Sequence, residues 1–118
     1  MRLELHLPAI MEQMSEAKIL RVMAQEGDQL SIGSPLLELE VNLSSLVAHD
    51  CPPVSYFRIV LREAAYLRRM AVAAGQTVPV GVLLAVLGQS AGIEPEGEAA
   101  RRLRVNEVGI LPQWDEIG

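Results

Sequence analysis

Apolar and charged residues alternate along two stretches of the chain, RLELHLP at 2–8 and LLELEV at 36–41. A period of two sends successive side chains to opposite faces, so each stretch predicts a half-buried strand. Between them, AKILRVMAQEGDQLSIGSPL carries two turn signals, Glu26-Gly27-Asp28 and Gly33-Ser34-Pro35, with short strands implied on either side. The phrase returns downstream. MAQEGDQLSIGSPLLEL and MAVAAGQTVPVGVLLAV share an order of Met, Gly, Gly and Leu, and Met23, Gly27, Gly33 and Leu37 correspond to Met70, Gly75, Gly81 and Leu84 with a one-residue adjustment before the first glycine. Such a repeat predicts two similar β halves, each supplying an apolar face that it could not bury alone, and therefore an all-β flattened barrel or sandwich with internal pseudo-symmetry.

Two regions read less simply. Residues 55–72 (SYFRIVLREAAYLRRMAV) place Phe57, Val60, Leu61, Ala64, Leu67 and Ala71 on one helical face, while Tyr56, Phe57, Ile59 and Val60 favour strand. Periodicity leaves both open. From Ser90 the composition turns to Gly, Glu, Pro and Arg, and EPEGEAARRLR reads as a linker running into a helix. Glu96 and Glu98 before Arg101, Arg102 and Arg104 suit a helix dipole, and Glu98 with Arg102 is an i,i+4 pair. The expected organisation is a β domain over 1–89 and a linker with a short helical or disordered tail over 90–118, the tail having too little apolar area to fold alone.

Composition narrows the classes of function. A chain of 118 residues suits one core. Its formal net charge of -5 argues against nucleic acid, whose binding needs clustered Lys and Arg to displace counterions. The apolar run VPVGVLLAVLG is broken by Pro79 and Gly81 and is far shorter than the roughly 20 residues that span a bilayer. MRLELHLPAI has charges where a secretion signal has an uninterrupted apolar region. A lone Cys51 forms no internal disulfide and fits a reducing compartment, so a soluble, cytoplasmic protein is expected, with no membrane partner. The ten basic residues are nine arginines and a single lysine, Lys18.

The order and spacing of these features resemble the lipoyl domains of the acyltransferase component of 2-oxo acid dehydrogenase complexes. LPAIMEQMSEAKILRVMAQEGDQLSIGSPLLELE carries Pro8, Met14, Glu26-Gly27-Asp28, Gly33 and Glu38-x-Glu40 where that family has its characteristic residues, and the likeness resumes at YLRRMAVAAGQTVPVGVLLAVLG. Together these cover most of residues 3–88. The resemblance implies a flattened β-barrel of two small antiparallel sheets related by a pseudo-twofold, and it favours strand over 55–72. In active members a tight hairpin after Glu-x-Glu presents an Asp-Lys pair, and lipoate is joined to that lysine. Here the chain reads ELEVNLSSLVAHDCPPVSYFRIVL: Asn42 stands near the aspartate position, Leu43 near the lysine, and an insertion expands the hairpin to about 42–55. No lysine follows anywhere in the chain, and no Met-Lys-Met of the biotin carriers occurs. Neither lipoate nor biotin is therefore expected as a cofactor.

A second likeness concerns EAARRLRVNEVGILPQWDEIG, which is similar to the first, Arg-rich helix of the peripheral-subunit-binding domain that follows lipoyl domains, with one extra residue and the rest of that domain missing. By that likeness Arg101, Arg102 and Arg104 would face an acidic patch on a subunit of a 2-oxo acid dehydrogenase-type complex. The resulting expectation is a non-lipoylated module for protein–protein docking or scaffolding, without enzymatic activity. The alternative is a biosynthetic enzyme or accessory protein with a ligand site at the modified tip loop around Cys51. His49-Asp50-Cys51 converges as a catalytic site only through a special turn, which Pro52-Pro53 favours, since adjacent residues of an extended chain point to opposite faces; a metal site would need more ligands, and His6 is the only other histidine. Arg58, Arg62, Arg68 and Arg69 read as a solvated face pairing with surface glutamates. Glu38 and Glu40 read as outward strand charges that discourage edge pairing.

Overall fold

Glycines in the left-handed region mark the turns that the repeat predicts. In a computed structural model that describes residues 1–42, 54–90 and 99–110, Gly27, Gly33, Gly75 and Gly81 have φ of 96°, 91°, 94° and 94°. A Cβ at any of them would meet open space, so the requirement is conformational, since an L side chain at positive φ is strained by its own backbone. The strands are β1 (Arg2–His6), β2 (Glu16–Val22), β3 (Gln29–Leu30), β4 (Pro35–Asn42), β5 (Val54–Leu61), β6 (Ala65–Met70), β7 (Thr77–Pro79), β8 (Leu83–Gly88), β9 (Ala100–Arg102) and β10 (Val105–Ile110). Residues 55–72 are thus extended, as β5, a turn and β6.

The strands form two five-stranded sheets, ordered β3-β6-β8-β1-β9 and β10-β5-β4-β2-β7. Exchanging β1 with β5, β2 with β6, β3 with β7 and β4 with β8 converts one order into the other, and β9 then takes the place of β10. The hydrogen bonds repeat with the strands. Gly27 N–H donates to the Leu67 carbonyl and Gly75 N–H to the Ile19 carbonyl, both at 2.7 Å, and Gly33 bonds Leu61 as Gly81 bonds Leu7. Met23 N–H donates to Leu36 as Ala71 N–H donates to Leu84, each at 2.8 Å. The correspondence therefore keeps a constant separation of 48 positions from Gly27 to Gly75 and from Gly33 to Gly81. The one-residue adjustment is incorrect: Met23 matches Ala71, and Leu84 matches Leu36, because the turns between them have equal lengths.

Each half gives strands to both sheets, so neither sheet forms without the other half. One core lies between them, built from Leu3, Leu5 and Leu7 of the β1 segment, Ile19, Leu37, Leu39 and Val41, and Ile59, Leu61, Leu67, Leu84 and Leu87 from the second half. Burying a side chain of this size contributes about 1.5–3 kcal/mol, and the alternation read from 2–8 and 36–41 is what aims these residues inward. The sheets pack as a sandwich and are not closed into a barrel. Among the described residues all strand pairs are antiparallel except β1 with β9.

The tail is the main correction. Ala100–Arg102 and Val105–Ile110 are strands, and no described residue is helical. The i,i+4 pairing that suggested a helix contributes only about 0.2–0.5 kcal/mol. Against it stand a six-residue ladder of β10 on β5, a parallel pairing of β9 with β1, and a buried Leu103 in the turn between them, whose N–H donates to the Glu4 carbonyl at 2.9 Å. Tertiary pairing outweighs local charge pattern here.

Candidate functional site

The hairpin singled out by the sequence is present as the β4–β5 pair, whose last register is Asn42 opposite Val54. Its tip, with Leu43 and His49-Asp50-Cys51, lies outside the described residues. Lys18 stands in the body of β2, exposed, opposite Glu40 on one side and Thr77 on the other. With Glu16, Glu40, Asn42 and Thr77 it borders an open depression of about 200 Å³. It stands within a strand, and Glu16 and Glu40 border the same depression.

The outer face of the same sheet holds the charges that β4 turns away from the core. Glu38 is buried even though it points outward, because two arginines cover it. Arg58 Nε and Nη2 donate to Glu38 Oε2 at 2.9 and 2.7 Å, and Arg21 Nε lies 3.3 Å from Oε1. The reading of Arg58 as pairing with a glutamate agrees with this geometry. The reading of Glu38 and Glu40 as edge guards does not, since β4 lies between β5 and β2 in the interior of its sheet.

The three arginines of the tail separate in role. Arg101 Nη1 donates to Glu63 Oε2 at 2.8 Å and to the Arg102 carbonyl at 3.0 Å, and Nη2 donates to Glu63 Oε1. Glu63 also accepts the Arg104 N–H at 2.8 Å. The Arg101 guanidinium holds the Glu63 carboxyl below the usual carboxylate range, aided by the Arg104 amide and opposed by burial, and the same contact pushes Arg101 up. Arg101 is thereby a clamp between the β5–β6 turn and β9. Arg102 and Arg104 are exposed, and these two present their charge outward.

A charged constellation that the sequence reading passed over lies beside Arg102. His6 Nε2 is 3.0 Å from Glu4 Oε1, His6 Nδ1 is 2.8 Å from the Gly81 carbonyl oxygen, and Arg2 Nε is 3.0 Å from Glu4 Oε2. Both imidazole nitrogens face acceptor oxygens, which fixes the ring between the β1 carboxylate and the Gly81 turn. The His6 hydrogen bond is the largest of the effects that lower the Glu4 carboxyl below its ordinary value, with burial opposing and Arg2, His6 and Arg102 adding their charge. The signal available in the sequence was Glu4-Leu5-His6, two polar residues on one face of a strand. Glu4, His6, Leu7, Pro8, Arg102 and Val105 help to line an open depression of about 330 Å³. Among the described residues no group of three His, Cys, Asp or Glu is placed to hold a metal, and no helix is long and apolar enough to cross a membrane. What these residues present is ion pairs and charge-assisted hydrogen bonds. Compared with known proteins, the chain matches no protein-family model and no curated protein sequence.

Proposed function

We propose that this chain is a lipoyl-domain-like module, related to the acyltransferase of 2-oxo acid dehydrogenase complexes, that docks or scaffolds and does not carry acyl groups. One observation carries the reading: the only lysine, Lys18, lies within a strand, and the expanded hairpin between β4 and β5 has none. An amide to lipoate requires a primary amine, and Asn42-Leu43 supplies no such group at the hairpin. The interleaved two-half architecture, with both sheets built from both repeats, supports the likeness in fold. Exposed Arg102 and Arg104 suit an acidic partner surface.

Two measurements test it. Co-expression with a lipoate ligase, followed by intact-mass determination, is expected to show no lipoyl gain, and a gain of one lipoyl group overturns the loss of carriage. Binding of the whole chain to purified decarboxylase and dihydrolipoamide dehydrogenase subunits of such a complex is expected for one of them, weakened by Arg102→Glu with Arg104→Glu. Absence of binding to both removes the docking role.

A further inference from the structure

Sheet edges present unpaired N–H and C=O groups, and among the described residues three of the four edges are blunted. β3 is two residues long, β7 is three and ends in Pro79, and β9 is three, two of them arginines. β10 differs. It runs for six residues, VNEVGI, with one charge, no proline and no lysine, and its Val108 is 45% exposed.

The phase of its ladder follows from one bond, the donation of Arg62 N–H to the Arg104 carbonyl at 2.9 Å. Alternate residues of an antiparallel strand bond to a given neighbour, so with the registers of Val105 to Leu61 through Ile110 to Tyr56, Asn106, Val108 and Ile110 bond to β5. The N–H and C=O groups of Val105, Glu107 and Gly109 point the other way. Among the described residues no strand lies beyond them.

We propose that β10 pairs antiparallel with β10 of a second copy of this chain, about a twofold axis at Val108, joining two five-stranded sheets into one continuous sheet. Charge and the extent of the strand select this register over axes at Glu107, Asn106 and Gly109, the last of which would set Glu107 opposite position 111, beyond the end of β10. An axis at Glu107 sets that carboxylate opposite its own copy, and like charges directly opposed destabilise a ladder. An axis at Asn106 runs the pairing into the Leu103-Arg104 turn that separates β9 from β10. The axis at Val108 places Glu107 opposite Gly109 of the second copy, each exchanging its outward N–H and C=O with the other. No atom lies within 4 Å of the Cβ direction of Gly109, which leaves room for the Glu107 side chain. Val108 then meets Val108 as a non-hydrogen-bonded pair, the kind in which side chains approach most closely. An interface of one strand pair is small, so the association is reversible and concentration-dependent.

The test uses the full chain in a Cys51→Ser background. Sedimentation velocity over rising concentration is expected to show a monomer–dimer equilibrium. Glu107→Pro removes an outward N–H while leaving the β5 ladder intact, and it is expected to weaken the dimer about tenfold or more with little change in melting temperature. Val108→Cys is expected to give a disulfide-linked dimer on air oxidation, because facing Cα atoms of such a pair lie about 4.5 Å apart, within disulfide reach. Glu107→Cys, opposite Gly109, is expected to cross-link poorly. A chain that stays monomeric with no cross-link through Val108→Cys overturns the proposal. So does a dimer that tolerates Glu107→Pro, or one that cross-links better through Glu107→Cys. If Glu107→Pro fails to fold, the two cysteine variants decide alone.

Discussion

On one sheet Glu38 sits between Arg21 and Arg58, and at the matching place on the other sheet Val86 sits between Arg69 and Glu4. The strands are equivalent, and so are the four glycine turns and the leucines beneath them. Even the exposed apolar residues at the turn tips recur, Ile32 before Gly33 and Val80 before Gly81. The charges do not recur. In the first row the carboxylate occupies the central strand and both arginines come from its flanks. In the second the carboxylate has moved to β1, where Glu4 is within reach of Arg2, His6 and Arg102. What the two halves share is what the backbone and core require, and what they do not share is surface charge that the fold leaves free to vary.

The comparison is broken most severely through the core. Ile19 and Leu67 are pseudo-equivalent and fully buried, and each accepts a turn glycine's N–H through its backbone carbonyl. Ile19→Ala and Leu67→Ala are each expected to lower the unfolding free energy by about 2–5 kcal/mol, measured by urea denaturation. A variant that is silent while its mate unfolds the protein would show that one half carries the fold by itself.

The glycines give a smaller and cleaner comparison. Gly27→Ala and Gly75→Ala create no clash, so each should cost only the strain of an L residue at positive φ, about 1–2 kcal/mol, and the two costs should agree. A large disagreement would mean that the two turns are under different constraint.

The same comparison explains what was legible beforehand. Alternation at 2–8 and 36–41 and the recurring glycines were enough for the all-β sandwich, because a period of two and a left-handed turn are each dictated within a few residues. The exact match of Met23 to Ala71 was not legible, since the methionines at 23 and 70 invited a pairing that only the hydrogen bonds refute. Residues 100–110 misled for a related reason. Helix periodicity over so short a run is a local preference, whereas the open edges of β1 and β5 that capture these residues lie far away in sequence. At the site, the absence of lysine from the hairpin was readable at once, but the Arg101–Glu63 clamp joins residues on different elements and leaves no trace in spacing.

That clamp belongs to one half only. Two residues beyond Leu61 stands Glu63, and two residues beyond its counterpart Leu7 stands Ala9. Because the folded-state pKa of Glu63 is lowered, its contribution to stability is present above the usual carboxylate pKa and is lost as pH falls through the lowered folded value. Glu63→Gln is expected to lower the melting temperature at neutral pH by a few degrees and to narrow the gap between the neutral and acidic melting temperatures. A variant with an unchanged acid profile would assign the acid sensitivity elsewhere, with Glu4, also lowered, as the next carboxylate to replace.

The smallest expected effect concerns Lys18, whose pseudo-equivalent is Tyr66. Both stand on the strand second from one end of their sheets, β2 and β6, yet Lys18 is exposed opposite Glu40 and Thr77, and Tyr66 is half-buried opposite Gly88 and Gln29. Lys18→Gln removes one solvated charge beside a depression and no core contact, so the unfolding free energy should change by no more than about 0.5 kcal/mol in the same urea titration. Intact mass then carries the functional half of the comparison. The wild-type chain and Lys18→Gln, each co-expressed with a lipoate ligase, should differ only by the substitution itself. A lipoyl mass on the wild-type chain that disappears in Lys18→Gln would show that the amine on β2 is used for attachment, and the two halves would then differ by a carrier site as well as by the arrangement of their charges.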